Sequence, residues 1–232
     1  MKNLISFFKT DDSYQQEVSI YRPIDGILAI AVFVLVMIAY YWMGLLQANR
    51  NIYLGVPVNL FFIVLCILLA ILRKNGITSL GFKKKHAKAS LLLGLVVGLM
   101  VVLGNGAISL GSGASFSPIG LIVSRFFYYL VVISLMEEIV FRGYIQSRIF
   151  GLVRNNWAAT ILSAVMFMLM HIPYQLGAAG MGLIAFTQSN WLWLVLVFMW
   201  HMVFTYLFRK YNSIYAPTLF HALMDWGNIL FA

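Results

Sequence analysis

The sequence predicts an all-α, polytopic membrane protein, and two properties of its composition lead to that prediction. Of its 232 residues, 62% are hydrophobic and only 10% are charged, whereas a soluble domain is about half apolar and about a quarter charged. The apolar residues are also gathered into segments of about 20, the length that a helix needs to cross the hydrocarbon core of a bilayer. We therefore expect a bundle of transmembrane helices.

The apolar segments predict about seven spans in a single transmembrane domain at residues 25–232. They lie at roughly 26 to 47, 53 to 72, 89 to 110, 118 to 136, 157 to 173, 190 to 208 and 213 to 231. No internal repeat or low-complexity tract interrupts them. Residues 1–24 lack a short apolar core with a cleavage site, so we expect a soluble cytoplasmic tail and not a removable signal peptide.

The basic residues predict the orientation of these spans. They concentrate in alternate loops, whereas the loops between, near 48–52, 111–117 and 174–189, contain only Arg50. The positive-inside rule then puts the N-terminus in the cytoplasm and the C-terminus outside, a parity that seven spans satisfy. The net charge is +9, and the basic residues behind it are concentrated in alternate loops. This distribution indicates contact with a lipid bilayer and no nucleic-acid partner. The basic residues of the alternate loops are Arg73, Lys74, Lys83, Lys84, Lys85, Lys88, Arg148, Arg154, Arg209 and Lys210.

Only three acidic residues follow Asp25, and all three lie within segments apolar enough to cross a membrane. They are Glu137, Glu138 and Asp225. An acidic residue at the centre of a membrane helix costs about 2.5 to 3.5 kcal/mol on insertion scales, so such residues face the protein interior and mark chemistry or transport. They predict an intramembrane polar site.

Helix spacing separates the two adjacent glutamates. Neighbouring residues of an α-helix point about 100° apart, so Glu137 and Glu138 are not expected to face one small cavity together. Glu138 and Arg142 are four residues apart and predict an ion pair, in the favoured order of acid before base. Glu137 is then the freer carboxylate. In the alternative interpretation, Glu138, Arg142 and Arg148 extend to the cytoplasmic surface at a helix end, which leaves the deeper Glu137 unexplained.

Two further spans carry polar residues at a similar depth. At 1.5 Å per residue, Glu137 and His171 lie about 20 and 21 Å from the turn between their helices. In the last span His221 and Asp225 are four residues apart, on one helix face, at about 14 and 20 Å from its start. The shared depth predicts one site between three helices. His201 lies in none of these patterns and is expected in the core.

The chemistry open to Glu, His, His and Asp in a dry cavity is limited. A glutamate base can activate a water that histidines, or a metal held by them, polarise for attack on a peptide carbonyl. Zinc accepts His nitrogens and carboxylate oxygens and keeps an open position in catalytic sites. The sequence contains no serine nucleophile elbow and no His-Glu-x-x-His helix. Metal-assisted and metal-free hydrolysis both stay open.

Three ordered motifs resemble those of the CAAX-processing and bacteriocin-processing (CPBP, or Abi) intramembrane proteases. Glu137-Glu138-x-x-x-Arg142 resembles the first motif of that family and Phe167-x-x-x-His171 the second. His221-Ala222-Leu223-Met224-Asp225 resembles its final His-x-x-x-Asn/Asp. The resemblance covers about 118–231, and the first three spans match only as hydrophobic helices.

The resemblance implies an intramembrane metalloendopeptidase in which Glu137 activates water. It implies that His171, His221 and Asp225, with Glu137, bind a divalent metal, of which zinc fits best, or that they orient water and stabilise the oxyanion without one. Glu138, Arg142 and Phe167 would be supporting residues.

Asp225 departs from the many family members that have Asn at this position. An ionised Asp cannot donate a hydrogen bond to an oxyanion. Asn228, three residues on, is a candidate for that missing amide.

Two other classes of function also fit the sequence. Some relatives are expected to work without proteolysis, as bacteriocin immunity or regulatory proteins that bind a membrane partner. A proton- or cation-coupled transporter would also use buried carboxylates and histidines, but it predicts inverted repeats or paired broken helices. The sequence shows neither of these features.

The short chain with charged loops and a minimal tail is typical of a bacterial cell membrane protein. We therefore expect its substrate to be a membrane-embedded or membrane-associated peptide, such as a pheromone, a bacteriocin leader or a membrane-protein segment, before a prenylated protein.

Overall fold

The computed structural model describes residues 10–231, and the fold of this part of the chain is all-α, as predicted. Eight helices follow one another, and the described residues contain no strand, only an isolated bridge between Phe116 and Phe231. The helices are α1 Ser13–Ser19, α2 Pro23–Arg50, α3 Gly55–Leu72, α4 Ala87–Gly111, α5 Ile119–Ile149, α6 Asn156–Ala179, α7 Leu183–Tyr211 and α8 Tyr215–Gly227.

Six of these helices, α2 to α7, are long and apolar enough to cross a membrane. The predicted seventh span, 213 to 231, is shorter than expected because α8 has only 13 residues. At 1.5 Å per residue it is about 20 Å long, and a bilayer core is about 30 Å thick. Beyond α8 the chain folds back, and the Ser117 N–H donates to the carbonyl of Leu230 at 2.9 Å. The C-terminal segment therefore lies at the α4–α5 end of the bundle.

Glycines allow two pairs of helices to approach closely. On α6, a Cβ atom at Gly177 would lie 2.6 Å from the Tyr41 carbonyl oxygen of α2. On α4, a Cβ atom at Gly94 would lie 2.5 Å from the Ala216 carbonyl oxygen of α8. Helices in membranes pack mainly through such small residues, because lipid tails are as apolar as leucine. The α4–α8 contact fixes the short last helix against a full-length span.

Helix α5 departs from regular α-helical geometry on both sides of Glu137. Two π-helical stretches, Tyr128–Ser134 and Glu138–Gln146, flank the three α-helical residues Leu135–Glu137. In a π-helix the backbone hydrogen bonds span five residues, a geometry that is rare and frequent at functional sites. Within and beyond these stretches, the directions of the α5 side chains therefore differ from those that a regular 100° step predicts.

The N-terminal segment, which we expect to be a cytoplasmic tail, packs onto the bundle in residues 10–22. In α1, Tyr14 and Val18 are buried. The Asp11 N–H donates to the Arg209 carbonyl at 3.0 Å, and Glu17 pairs with Lys83. Residues 1–9 of the predicted tail lie outside the described residues.

Arg148 lies in the protein interior and not in a surface loop. Its side chain is 1% exposed and donates to the carbonyls of Ser79 at 3.1 Å and Gly143 at 2.6 Å. The rings of Tyr21 and Tyr144 face its guanidinium at 4.7 and 4.6 Å. Helix α5 thus ends in a buried polar layer beneath the basic loop.

Candidate functional site

A cavity of about 510 Å³ lies between α4, α5, α6, α7 and α8. Three helices contribute the polar residues that the sequence predicts at a similar depth. The structure brings six of the eight predicted site residues to this cavity: Glu137, Phe167, His171, His221, Asp225 and Asn228. Glu138 and Arg142 do not line it and lie behind Glu137.

Glu137 faces the cavity with little exposure to solvent. Its relative exposure is 8%. Its Oε2 atom lies 3.8 Å from Nε2 of His221 and makes no hydrogen bond to any residue in the range 10–231. A buried carboxylate oxygen without a hydrogen bond is costly in an apolar protein interior. Glu137 is therefore free to bind a water or a substrate proton.

Glu138 is completely buried and contacts both Arg142 and His221. Its Oε1 atom lies 3.1 Å from Nη1 of Arg142, which is the ion pair that the four-residue spacing predicts. The same oxygen lies 3.1 Å from Nδ1 of His221. Because an ionised carboxylate only accepts hydrogen bonds, His221 donates to it from Nδ1. Glu138 therefore fixes the orientation of the His221 ring.

The guanidinium of Arg142 lies between aromatic rings. It is 4.2 Å from the ring centre of Phe167 and 5.0 Å from that of Phe204. Each ring also contacts a histidine. Phe167 meets His171 edge-on, with ring centres 4.8 Å apart, and Phe204 stacks on His221, with ring centres 4.6 Å apart. Arginine is well suited to such a place, since its planar cation binds the faces of aromatic rings. One buried cation thus supports the rings that hold both histidines.

The hydrogen bond of His171 fixes its tautomer. Nδ1 lies 2.9 Å from the Phe167 carbonyl oxygen. A carbonyl only accepts, so Nδ1 carries the hydrogen and the neutral ring has its lone pair on Nε2. His171 lines the cavity, where this lone pair is available to accept a hydrogen bond from water.

Asp225, on α8, and Asn228, just after it, form the polar wall of the cavity opposite Glu137 and His171. Oδ2 of Asp225 lies 3.4 Å from Nε2 of His221. The side-chain oxygen of Asn228 accepts a hydrogen bond from the amide of Asn105 at 3.1 Å. Because its oxygen is engaged, the amide nitrogen of Asn228 keeps its N–H donors for a ligand in the cavity.

The three carboxylates of the site surround one imidazole. Glu137, Glu138 and Asp225 lie 3.8, 3.1 and 3.4 Å from nitrogens of His221. Arg142 supplies one permanent positive charge. A protonated His221 donates from both nitrogens and balances a second negative charge, which reduces the cost of burying these groups together.

Two other polar residues lie outside the cavity. His201 is completely buried, and its Nε2 lies 3.2 Å from the hydroxyl of Ser163. It is thus a core histidine, as expected. Arg125 lies over the ring of Tyr128, 5.5 Å from the ring centre.

The predicted site lacked two residues that the structure places in the cavity wall. Phe204 stacks on His221, and Asn105 orients Asn228. Asn105 had a signal in the sequence, because it is the one amide within the apolar segment from 89 to 110. Phe204 had none, since it is one of 18 phenylalanines.

The side chains of the site do not form a metal centre in this arrangement. Among residues 10–231, no three His, Cys, Asp or Glu side chains lie so that they could hold one metal ion. Nδ1 of both histidines is taken by hydrogen bonds, as is common for histidines that bind a metal through Nε2. The involvement of zinc stays a prediction.

Comparisons with known proteins show one family to which this region is similar. Residues 118–227 match the family described as Rce1-like, type II CAAX prenyl endopeptidase Rce1-like. Searches among curated proteins and solved structures gave no match. The matched range contains all three motifs and both histidines of the cavity, which confirms the resemblance predicted from the sequence. Residues 118–227 of this integral membrane protein are therefore similar to the family of Rce1-like type II CAAX prenyl endopeptidases.

Proposed function

We propose that this protein hydrolyses a peptide bond of a membrane-embedded or membrane-associated substrate with a water activated by Glu137. The observation that supports this most strongly is the position of Glu137, a buried carboxylate with an unbonded oxygen in a cavity wall. His171 lies in the same wall with its Nε2 lone pair available. Two acceptors in one wall are suited to hold both hydrogens of one water.

In the first step, Glu137 removes a proton from this water as the water oxygen bonds to the peptide carbonyl carbon. A positioned general base contributes about 10²- to 10⁴-fold to such a reaction. His171 accepts the second hydrogen of the water and orients it. The fixed tautomer of His171 matters here, because a ring with hydrogen on Nε2 would instead repel a water hydrogen.

In the second step, groups on the opposite wall stabilise the oxyanion and assist departure of the amine. The amide N–H of Asn228 is the available donor to the developing oxyanion. A protonated His221, whose Nε2 faces Asp225, would add positive charge beside it. When the C–N bond breaks, the amine nitrogen takes the proton that Glu137 accepted from water. Asp225 keeps the His221 ring in place from the other side.

The cavity wall also carries apolar and aromatic groups, which favour a substrate segment that is itself apolar. Val101, Leu196, Trp193 and Trp200 line it beside the polar residues. Such a lining, with a few convergent polar groups, is typical of sites that bury most of a ligand. We propose that the substrate is a peptide segment delivered from the bilayer.

The proposed orientation has the N-terminus in the cytoplasm of a bacterial cell. The basic loop between α3 and α4, and α1, which packs on it through Glu17 and Lys83, lie at one end of the bundle. Anionic lipids of the cytoplasmic leaflet attract such a surface.

The test is cleavage of a peptide library by the purified protein in detergent. Half of the library carries a C-terminal CAAX sequence, with and without a prenyl group, and half consists of hydrophobic leader and transmembrane segments. We expect cleavage by the wild-type protein and by the matched control Glu17→Gln, and a loss of about 10²-fold or more in Glu137→Gln. Equal cleavage by Glu137→Gln would refute the proposed base. If neither the wild type nor Glu17→Gln cleaves any peptide, the regulatory-partner interpretation gains support.

A further inference from the structure

A second cavity, of about 230 Å³, lies on the α2 and α3 side of the proposed catalytic residues. It shares four lining residues with the larger cavity: Ile133, Glu137, His171 and Trp193. Glu137 and His171 therefore belong to a wall between two cavities. The larger cavity extends toward α4 and α8, and the second extends toward the loop that joins α2 to α3.

The second cavity is lined by polar groups with unused hydrogen-bonding capacity. The Tyr40 hydroxyl donates to the side-chain oxygen of Asn59 at 2.9 Å, and the Asn59 amide donates one hydrogen to the Val132 carbonyl at 3.0 Å. The second amide hydrogen of Asn59 and the lone pairs of the Tyr40 oxygen remain. In the lipid-embedded part of a protein, uncharged polar groups of this kind are favourable where they contact water.

The outer end of this cavity consists of residues near a loop. Tyr53 precedes α3, is 48% exposed, and lies 2.6 Å from the hydroxyl of Tyr128, oxygen to oxygen. Tyr174 contacts the Tyr53 ring edge-on, with the ring centres 6.4 Å apart, and the neighbouring Gln175 is exposed. Both lie in the last turns of α6, which ends at Ala179. The polar lining thus runs from Glu137 to a solvent-facing end of the bundle.

Hydrolysis inside a membrane requires a path for water that the substrate does not block. A peptide that fills the larger cavity covers the approach to Glu137 from α4 and α8. The second cavity reaches Glu137 and His171 from the other side and is large enough for several waters, each of which takes about 30 Å³ in the liquid. We propose that the second cavity is a water-binding site that supplies the hydrolytic water to Glu137, separately from the substrate.

This inference rests on the proposed function, but its first test does not depend on proteolysis. Cys66 is the one cysteine of the chain and is buried, so Cys66→Ala gives a background for cysteine labelling. Met43→Cys places a thiol in the second cavity. Val36→Cys, two turns earlier on the same face of α2, is the matched control, since Val36 is completely buried and lines neither cavity.

A charged methanethiosulfonate reagent reacts with thiolate and therefore with a thiol in contact with water. In proteoliposomes, we expect it to modify Met43→Cys at least about tenfold faster than Val36→Cys, because burial in apolar surroundings suppresses thiolate. Gln175→Trp, at the exposed end of the cavity, should slow the labelling of Met43→Cys. Equal, slow labelling of both cysteines in folded protein would overturn the proposal even if the protein is an active protease.

A kinetic test separates water from a substrate side chain as the occupant of the second cavity. We expect Gln175→Trp to lower kcat with KM unchanged, because the water supply and not substrate binding is obstructed. Rapid labelling of Met43→Cys together with a raised KM and unchanged kcat in Gln175→Trp would assign the cavity to the substrate and refute the water-supply role.

Discussion

Nδ1 of His221 lies 3.1 Å from Oε1 of Glu138, and the same glutamate oxygen lies 3.1 Å from Nη1 of Arg142. The second glutamate of the pair thus orients the histidine of α8 while the first one faces the cavity. Adjacent acidic residues have different roles because one is enclosed by a cation and an imidazole and the other is not.

Glu138→Gln should destabilise the fold more than other carboxylate-to-amide changes. It leaves the buried Arg142 without its anion, and removal of one partner of a buried ion pair costs about 3 to 5 kcal/mol. We expect a clear drop in the detergent unfolding temperature relative to wild type and to Glu17→Gln, whose partner Lys83 is partly exposed. An unchanged unfolding temperature would show that the contacts of Glu138 with Arg142 and His221 do not stabilise the fold.

Asn228→Ala should lower kcat and leave the unfolding temperature nearly unchanged. Loss of one oxyanion donor costs about 10² to 10³ in rate, and Asn228 is exposed, so little packing is lost. Asn105→Ala, which removes only the donor that orients Asn228, should have a smaller effect on kcat. A wild-type kcat in Asn228→Ala would exclude this amide from the oxyanion site.

Phe204→Leu should affect catalysis, whereas Phe208→Leu should affect stability alone. Both rings lie on α7, four residues apart, and both are 1% exposed. Only Phe204 stacks on His221, while Phe208 packs against Tyr14. Cleavage kinetics and thermal unfolding of the two variants test this, with a lower kcat expected for Phe204→Leu only. Equal kinetics would show that the stacked ring does not position the histidine.

Chelation and Asp225→Asn together test whether the reaction needs a metal. With protein groups alone, cleavage continues after prolonged treatment with a strong zinc chelator. Asn at position 225 can still accept from His221, so we expect its kcat to stay within about tenfold of wild type. A loss of cleavage on chelation that added zinc restores, with a matching loss in Asp225→Asn, would establish the metalloprotease alternative.

The main features of the site can be predicted from the sequence. Apolar segment length predicts six of the spans, and four-residue spacing predicts the pairing of Glu138 with Arg142 and of His221 with Asp225. The similar depth of Glu137 and His171 follows from helix rise alone. These features depend on local periodicity, which a sequence carries directly.

Other features depend on long-range packing and could not be read from the sequence. A regular 100° step does not show that His221 contacts both glutamates, because α5 is π-helical on either side of Glu137. The short α8 follows from its contacts with α4 and from the turn after Gly227. The docking of α1 depends on Tyr14 and Val18, two apolar residues within an otherwise polar segment.

In the proposed reaction, Glu137 activates water and does not itself attack the peptide. Single-turnover cleavage in ¹⁸O-labelled water, followed by mass spectrometry of both peptide product and protein, tests it most directly. We expect one ¹⁸O atom in the new peptide carboxylate in the first turnover and none in the Glu137 side chain. An unlabelled first-turnover product together with ¹⁸O in Glu137 would contradict the account, because it would show that the carboxylate is the nucleophile.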